Sequence, residues 1–217
     1  MRDFDILLVS ACSILLPLIA AAGRYRRLSY RYAPLVILLL AGTVNELISY
    51  AAAHWWHNNQ VNANCYTLIE YLLLLWQLLR MQAQEKMTLT VAAFAGLIIW
   101  LTDNVWLHGI DQANVWFRIS ASLIMVYFSI DTATQLLLGN STPVLQKTDL
   151  ALCLAFFVYH TYRSFILLFS FFASHPFSVV SRHLWLALAV INILIHITYT
   201  IAILWIPKQP STSNRYS

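Results

Sequence analysis

The 217-residue chain is 60% hydrophobic and only 10% charged, with a mean hydropathy of +0.66. A soluble domain carries about a quarter charged residues, so a water-soluble fold is excluded and lipid must be part of this chain's solvent. The formal charge of +4 and the pI near 9.1 fit basic residues in cytoplasmic loops better than a nucleic-acid partner, and none is expected. Five Gly and six Pro leave little room for long linkers. With no internal repeat or shift in composition, residues 1–217 read as a single domain.

A helix needs about 20 apolar residues to cross the hydrocarbon of a bilayer. Seven segments qualify: Phe4–Ala22, Ala33–Ala53, Asn64–Leu79, Met87–Thr102, Val115–Leu138, Leu150–Phe172 and His183–Ile206. The expected fold class is therefore all-α, a seven-transmembrane helix bundle. Ala20-Ala21-Ala22 has the small residues of a signal cleavage site, but Arg2, Asp3 and Asp5 do not make a basic leader, so the first span is expected to be retained.

Lysine and arginine set the orientation. With the N-terminus outside and the C-terminus cytoplasmic, Arg24, Arg26, Arg27, Arg31, Arg80, Lys86, Lys147, Lys208 and Arg215 all lie inside. Only Arg2, Arg118 and Arg182 lie outside, and Arg163 falls mid-span. Trp55, Trp56, Trp106, Trp116 and Trp185 then gather at the outer headgroup level, with Trp205, Tyr25, Tyr30 and Tyr32 at the inner one, as expected of an aromatic belt. Asn140-Ser-Thr142 matches a glycosylation acceptor but falls in a cytoplasmic loop on this topology. Cys12, Cys65 and Cys153 are odd in number and lack metal spacing, so they read as small hydrophobes.

Ionisable groups inside a span are costly and usually face the bundle interior with a partner. The second span carries Asn45, Glu46 and Ser49, the third Tyr66 and Glu70, and the fifth Tyr127 and Asp131. The sixth carries Tyr159, His160 and Arg163, and the seventh Asn192, His196 and Tyr199. At 1.5 Å per residue, Glu70, His160 and His196 lie roughly 15 Å from the inner end, and Glu46, Arg163 and Asn192 roughly 20 Å. The three-and-four spacing of His160 with Arg163, and of Asn192, His196 and Tyr199, puts each set on one helix face. One polar pocket near mid-membrane is expected from these residues, with Asp131 extending it. Arg163 needs a carboxylate; depth favours Glu46, then Glu70.

The pocket suits a small molecule or ion, in a sensor-like, receptor-like or transport-related subunit that hands its signal to a membrane or cytoplasmic protein partner. The tail after Ile206 is too short for an output domain of its own. A divalent metal held by Glu70, His160 and His196 is the competing arrangement, two imidazoles and a carboxylate at one level, and a haem between the two histidines is a variant of it. Retinal is excluded because Lys86, Lys147 and Lys208 all lie in loops. No Walker or dinucleotide-binding glycine pattern occurs, nor an intramembrane protease motif.

Glu46, Ser49 and the membrane histidines resemble the alkaline ceramidase and adiponectin-receptor class of seven-span zinc hydrolases, which implies lipid hydrolysis by a metal-activated water. That class has a His-x-x-x-His pair in its last span. Here the last span offers His183 and His196, thirteen apart. The stretch Asn64-Cys-Tyr-Thr-Leu-Ile-Glu-Tyr71, with Asn45-Glu46, resembles small seven-span proteins of bacteria, particularly the Bacteroidetes. That likeness implies a multi-pass protein of the plasma (inner) membrane and carries no activity with it.

Overall fold

A computed structural model describes residues 3–25, 28–55, 58–81, 86–138, 143–172 and 179–206. Arg2, Arg26, Arg27, Trp56, Lys208, Arg215 and the Asn140-Ser-Thr142 match lie outside the described residues. Among those described, every regular element is helical. The helices are α1 (Asp3–Ser13), α2 (Leu15–Gly23), α3 (Ala33–Trp55), α4 (Gln60–Arg80), α5 (Lys86–Leu101), α6 (Val115–Leu138), α7 (Pro143–Phe172) and α8 (Val179–Trp205).

Helices α1 and α2 form one interrupted rod. Ile14 between them keeps helical dihedrals, φ −61 and ψ −23. The break has a cause three residues later: Pro17 has no N–H to offer the Ser13 carbonyl, and its ring crowds that oxygen.

Among the described residues, six helical stretches are long and apolar enough to cross a membrane: Asp5–Gly23, Tyr30–Ala52, Lys86–Leu107, Val115–Leu138, Leu145–Phe171 and Arg182–Trp205. Helix α4 is long enough at 21 residues but too polar by composition. Its polar residues are turned inward: Asn64 and Gln77 are at most 1% exposed and Thr67 is 6% exposed. The helix lies against α3, α5 and α6.

Side-chain ties show which helix ends lie together. Arg31, just ahead of α3, donates to the carbonyl of Met81 just past α4 (2.9 Å) and pairs with Asp149 near the start of α7. Gln77 of α4 accepts from the Leu35 amide and donates to the Arg31 carbonyl. At the opposite end, Asn64 of α4 donates to the carbonyls of Ile110 and Gln112, ahead of α6. Arg24, beyond α2, donates to the Leu204 and Ile206 carbonyls at the end of α8. The first and last rods therefore finish at the same end of the bundle. Cationic capping of those exposed carbonyls suits a helix C-terminus.

Helix α5 runs on into a π-helical turn, Thr102–Leu107. The wide turn places consecutive Asp103 and Asn104 inside (0% and 4% exposed), while Val105, Trp106 and Leu107 face out. Gly109 follows with φ +85, and a Cβ there would meet Asp111 Oδ1 at 2.9 Å. Only glycine takes that left-handed turn without strain.

The core is built from Tyr32, Tyr71, Phe117, Met125, Leu152, Phe156 and Ile203, with their aliphatic neighbours. Helix α7 begins at Pro143, well ahead of the expected Leu150, and this brings Asp149 into the buried interior.

Candidate functional site

A cavity of about 100 Å³ lies between α1, α3, α4, α7 and α8. Its polar lining comes from Ser10, Glu46, Tyr66, Glu70, Tyr159, His160, Asn192, His196 and Tyr199. That volume is room for several waters or a small polar group.

Four of these nine groups, Ser10, Glu70, Asn192 and His196, are held by a hydrogen bond or ion pair. Arg163 Nη1 donates to Glu70 Oε2 at 2.6 Å, with each side chain 13% exposed. Asn192 Nδ2 donates to Ser10 Oγ at 3.2 Å. Ser13 Oγ lies 2.6 Å from both the Ser10 carbonyl and His196 Nδ1. A hydroxyl has one proton, and a carbonyl can only accept it. Ser13 therefore donates to Ser10, and His196 Nδ1–H donates to Ser13, leaving Nε2 as the lone-pair nitrogen. Tyr199 packs edgewise on Phe156 and beside the His196 ring.

His160 is different. It is 4% exposed, it lines the cavity, and neither ring nitrogen has a hydrogen-bond partner among the described residues. It also lines a second gap, of about 10 Å³, shared with Glu70, Arg118 and Arg163. Leaving a buried polar group unbonded costs about 1–3 kcal/mol.

Arg163 is paired with Glu70, not with Glu46 as depth along the helices suggested. Depth gives height in the bundle but not direction around the helix axis. Glu46 is exposed and borders the cavity beside Ala11 and Ile14, with no hydrogen bond or ion pair to it among the described residues, whereas Glu70 of α4 meets Arg163 of α7. Two further expected members stand apart from the cavity. Asn45 accepts from Asn62 Nδ2 at 2.9 Å, tying α3 to α4 together with Ser49. Asp131 accepts from Gln135 Nε2 at 3.2 Å, one turn along α6, and Tyr127 on the same helix faces outward, 62% exposed.

Among the described residues, no three His, Cys, Asp or Glu side chains come close enough together to hold a metal ion. Glu70, His160 and His196 all reach the cavity wall, but they do not converge on one point in this conformation.

No family model, curated protein or solved structure matches this chain. The geometry alone therefore carries the functional reading.

Two other polar networks are structural. At one end, Asn64 (0% exposed) uses every hydrogen-bonding position it has. It donates to the Ile110 and Gln112 carbonyls and accepts from Arg118 Nη2 (3.0 Å) and the Asn114 amide (3.4 Å). Nearby, Asp103 accepts from the Phe117 amide at 2.8 Å, capping the first turn of α6, and lies 2.7 Å from His108 Nδ1. At the other end, Asp149 takes the Arg31 guanidinium and the Tyr32 hydroxyl (3.0 Å). Sequence reasoning missed Ser10, Ser13 and Asp149. The serines lie three apart, on one face of a helix that is otherwise apolar beyond Asp5, and that spacing was the available signal.

Proposed function

We propose that this chain is an integral membrane protein that crosses the bilayer seven times, and that its cavity binds a small molecule or ion that it senses or carries. The observation that carries the reading is His160: a buried imidazole with both nitrogens unbonded among the described residues, in the wall of a polar cavity, favours an occupant that supplies the missing hydrogen bond. The wall also offers a carboxylate at Glu46 without a counter-charge, and hydroxyl and amide groups from three other helices. This is the pattern of a site with a few convergent polar groups in an apolar frame.

The seven-span count is supported by parity. The ends of α2 and α8 share one face of the bundle, tied by Arg24, which requires an odd number of crossings if each rod spans. Counting α4 satisfies this. The polarity of α4 is no obstacle when its Asn64, Thr67 and Gln77 are shielded by neighbouring helices. An N-terminus outside and a C-terminus in the cytoplasm follow from the basic residues around α2 and α3. A partner protein would receive any signal through helix movement.

Thermal unfolding of the purified protein in detergent tests the reading, with sodium, ammonium and methylammonium chlorides as probes beside a choline chloride control. At least one probe should raise the melting temperature of the wild type and not of His160→Leu. Equal behaviour of all salts on both proteins would refute it. A C-terminal fluorescent-protein fusion should be bright, and a C-terminal alkaline phosphatase fusion inactive.

A further inference from the structure

Beside the polar cavity lies a second, apolar hollow of about 420 Å³, bordered by Leu8, Cys12 and Leu15 on the first rod and Thr43, Leu47 and Tyr50 on α3. It is open to the outside of the bundle: Leu8 is 52%, Leu47 68% and Tyr50 78% exposed. The two spaces share three residues, Ala11, Ile14 and Glu46. Glu46 therefore stands at a threshold, with the polar cavity on one side and an outward-facing apolar groove on the other. It lies 13 residues into α3, about 20 Å from that helix's start, a depth at which the surroundings of a spanning helix are acyl chains.

Charge decides what would cross that threshold. Glu70 is balanced by Arg163 at 2.6 Å, while Glu46 has neither a hydrogen bond nor an ion pair among the described residues. The cavity wall thus lacks one positive charge. Past Glu46 stand His160, its two nitrogens unbonded among the described residues, and the rings of Tyr66, Tyr159 and Tyr199. Aromatic faces and a carboxylate together suit an ammonium group. A purely aqueous cation would make no use of the apolar groove. An acidic or phosphate-bearing head would meet Glu46 as a like charge.

We infer that the occupant is a single-chain amphiphile with an amine head, entering sideways from the bilayer: its ammonium group pairs with Glu46 and reaches His160, and its alkyl tail lies in the groove between the first rod and α3. Whether the proton starts on the acid or on the amine, the bound pair is the same, one carboxylate and one ammonium. Gly42 serves the threshold. A Cβ there would meet Ile14 Cδ1 at 2.5 Å and the Tyr66 hydroxyl at 3.0 Å, so any larger residue would push Ile14 into the opening. This inference rests on the cavity being a binding site, as proposed above.

The test uses the full chain in lipid nanodiscs and a dodecylammonium probe with a diazirine in mid-tail, followed by photolysis and peptide mapping. Labelling should concentrate in residues 8–15 and 43–50. It should fall about tenfold in Glu46→Gln, and about tenfold again when the same tail carries a neutral hydroxyl head, the loss expected when a charge-assisted hydrogen bond is removed. Cys12→Trp, which fills the groove without lining the cavity, should also abolish it, so the outcome does not hang on one variant. Labelling spread over the outward faces of α5 and α6 as much as over the groove, or indifferent to Glu46 and to head charge, would overturn the inference. Methylammonium, which has no tail, separates the two levels. If it stabilises the wild type while the groove stays unlabelled, the cavity binds a cation from water and the amphiphile is wrong. If neither probe binds, both readings fall.

Discussion

Arg163→Leu is expected to be the most damaging single change to the polar layer, because it strands the Glu70 carboxylate. The pair is close, 2.6 Å between Nη1 and Oε2, and both side chains are 13% exposed. At an effective dielectric near 20, unit charges about 4 Å apart attract by about 4 kcal/mol. Removing one partner of a buried pair typically costs about 3–5 kcal/mol, since the other charge is left uncompensated. Arg118 borders the same small gap and lends Glu70 some positive potential, so the lower part of that range is expected. Replacing both residues, Arg163→Leu with Glu70→Gln, should cost less than the sum of the two single changes, by about 2–3 kcal/mol of coupling. The assay is a double-mutant cycle by unfolding in mixed micelles of rising SDS fraction. An ordinary interhelical hydrogen bond in such proteins couples by only about 0.6 kcal/mol, so the ion pair should stand clear of it. The parallel cycle of Arg163→Leu with Glu46→Gln should be additive within about 0.5 kcal/mol. Coupling to Glu46 that equals or exceeds coupling to Glu70 would refute the assignment of partners.

The remaining expectations concern packing, capping and metal. Gly96 lies against the ring of Tyr71, whose hydroxyl donates to the Ala92 carbonyl at 2.8 Å; Gly96→Ala should destabilise by about 1–3 kcal/mol through overpacking, read in the same SDS titration, with Tyr71→Leu relieving part of the loss. Asp103→Ala removes both the α6 cap and the His108 contact, and about 1–2 kcal/mol should be lost; unchanged hydrogen exchange at the Phe117 amide would show that the cap is not made. Tyr32→Phe takes only the hydroxyl from Asp149 and should cost about 1 kcal/mol, well below Asp149→Leu in the same assay. Protein incubated with zinc and then desalted should retain well under one zinc per chain by elemental analysis. A stoichiometric ion lost in Glu70→Ala would favour the hydrolase arrangement.

Much of the fold is legible in the residues, because apolar runs of about 20 residues have few structures open to them. Helices α3 and α6 lie close to their expected bounds. One misreading has a plain physical origin: hydropathy reports what a residue costs in lipid and says nothing about which neighbour shields it. Asp149 looked like the end of a loop because a carboxylate seldom enters a span, yet Arg31 and Tyr32 draw it in. Part of the lining of the cavity was legible for the same reason. Glu46, Glu70, His160, Asn192, His196 and Tyr199 reach one cavity because costly residues on several helices must converge to share their partners. The pairing within it was not legible, since a residue's direction around the helix axis depends on packing that a depth count leaves out. Asn45 and Asp131, equally polar, found partners on α4 and along α6 and had no need of the centre.

If α4 crosses the bilayer, as proposed above, its inward-facing polarity has a consequence for how the chain would be made. The insertion machinery weighs each segment largely on its own apolar content, and a charged residue at the centre of a helix is disfavoured by about 2.5–3.5 kcal/mol. Glu70 sits near the middle of α4, with Asn62, Asn64 and Gln77 toward its ends, so this helix has little reason to leave the translocon alone. Its ties to α3, from Asn62 to Asn45 and from Gln77 to Leu35, make the hairpin of α3 and α4 the natural unit of integration. The countercharge for Glu70 arrives only with α7, some 90 residues later. A nascent chain halted between the two would hold an unmatched carboxylate in the bilayer, and that is the stage at which membrane quality control should recognise it.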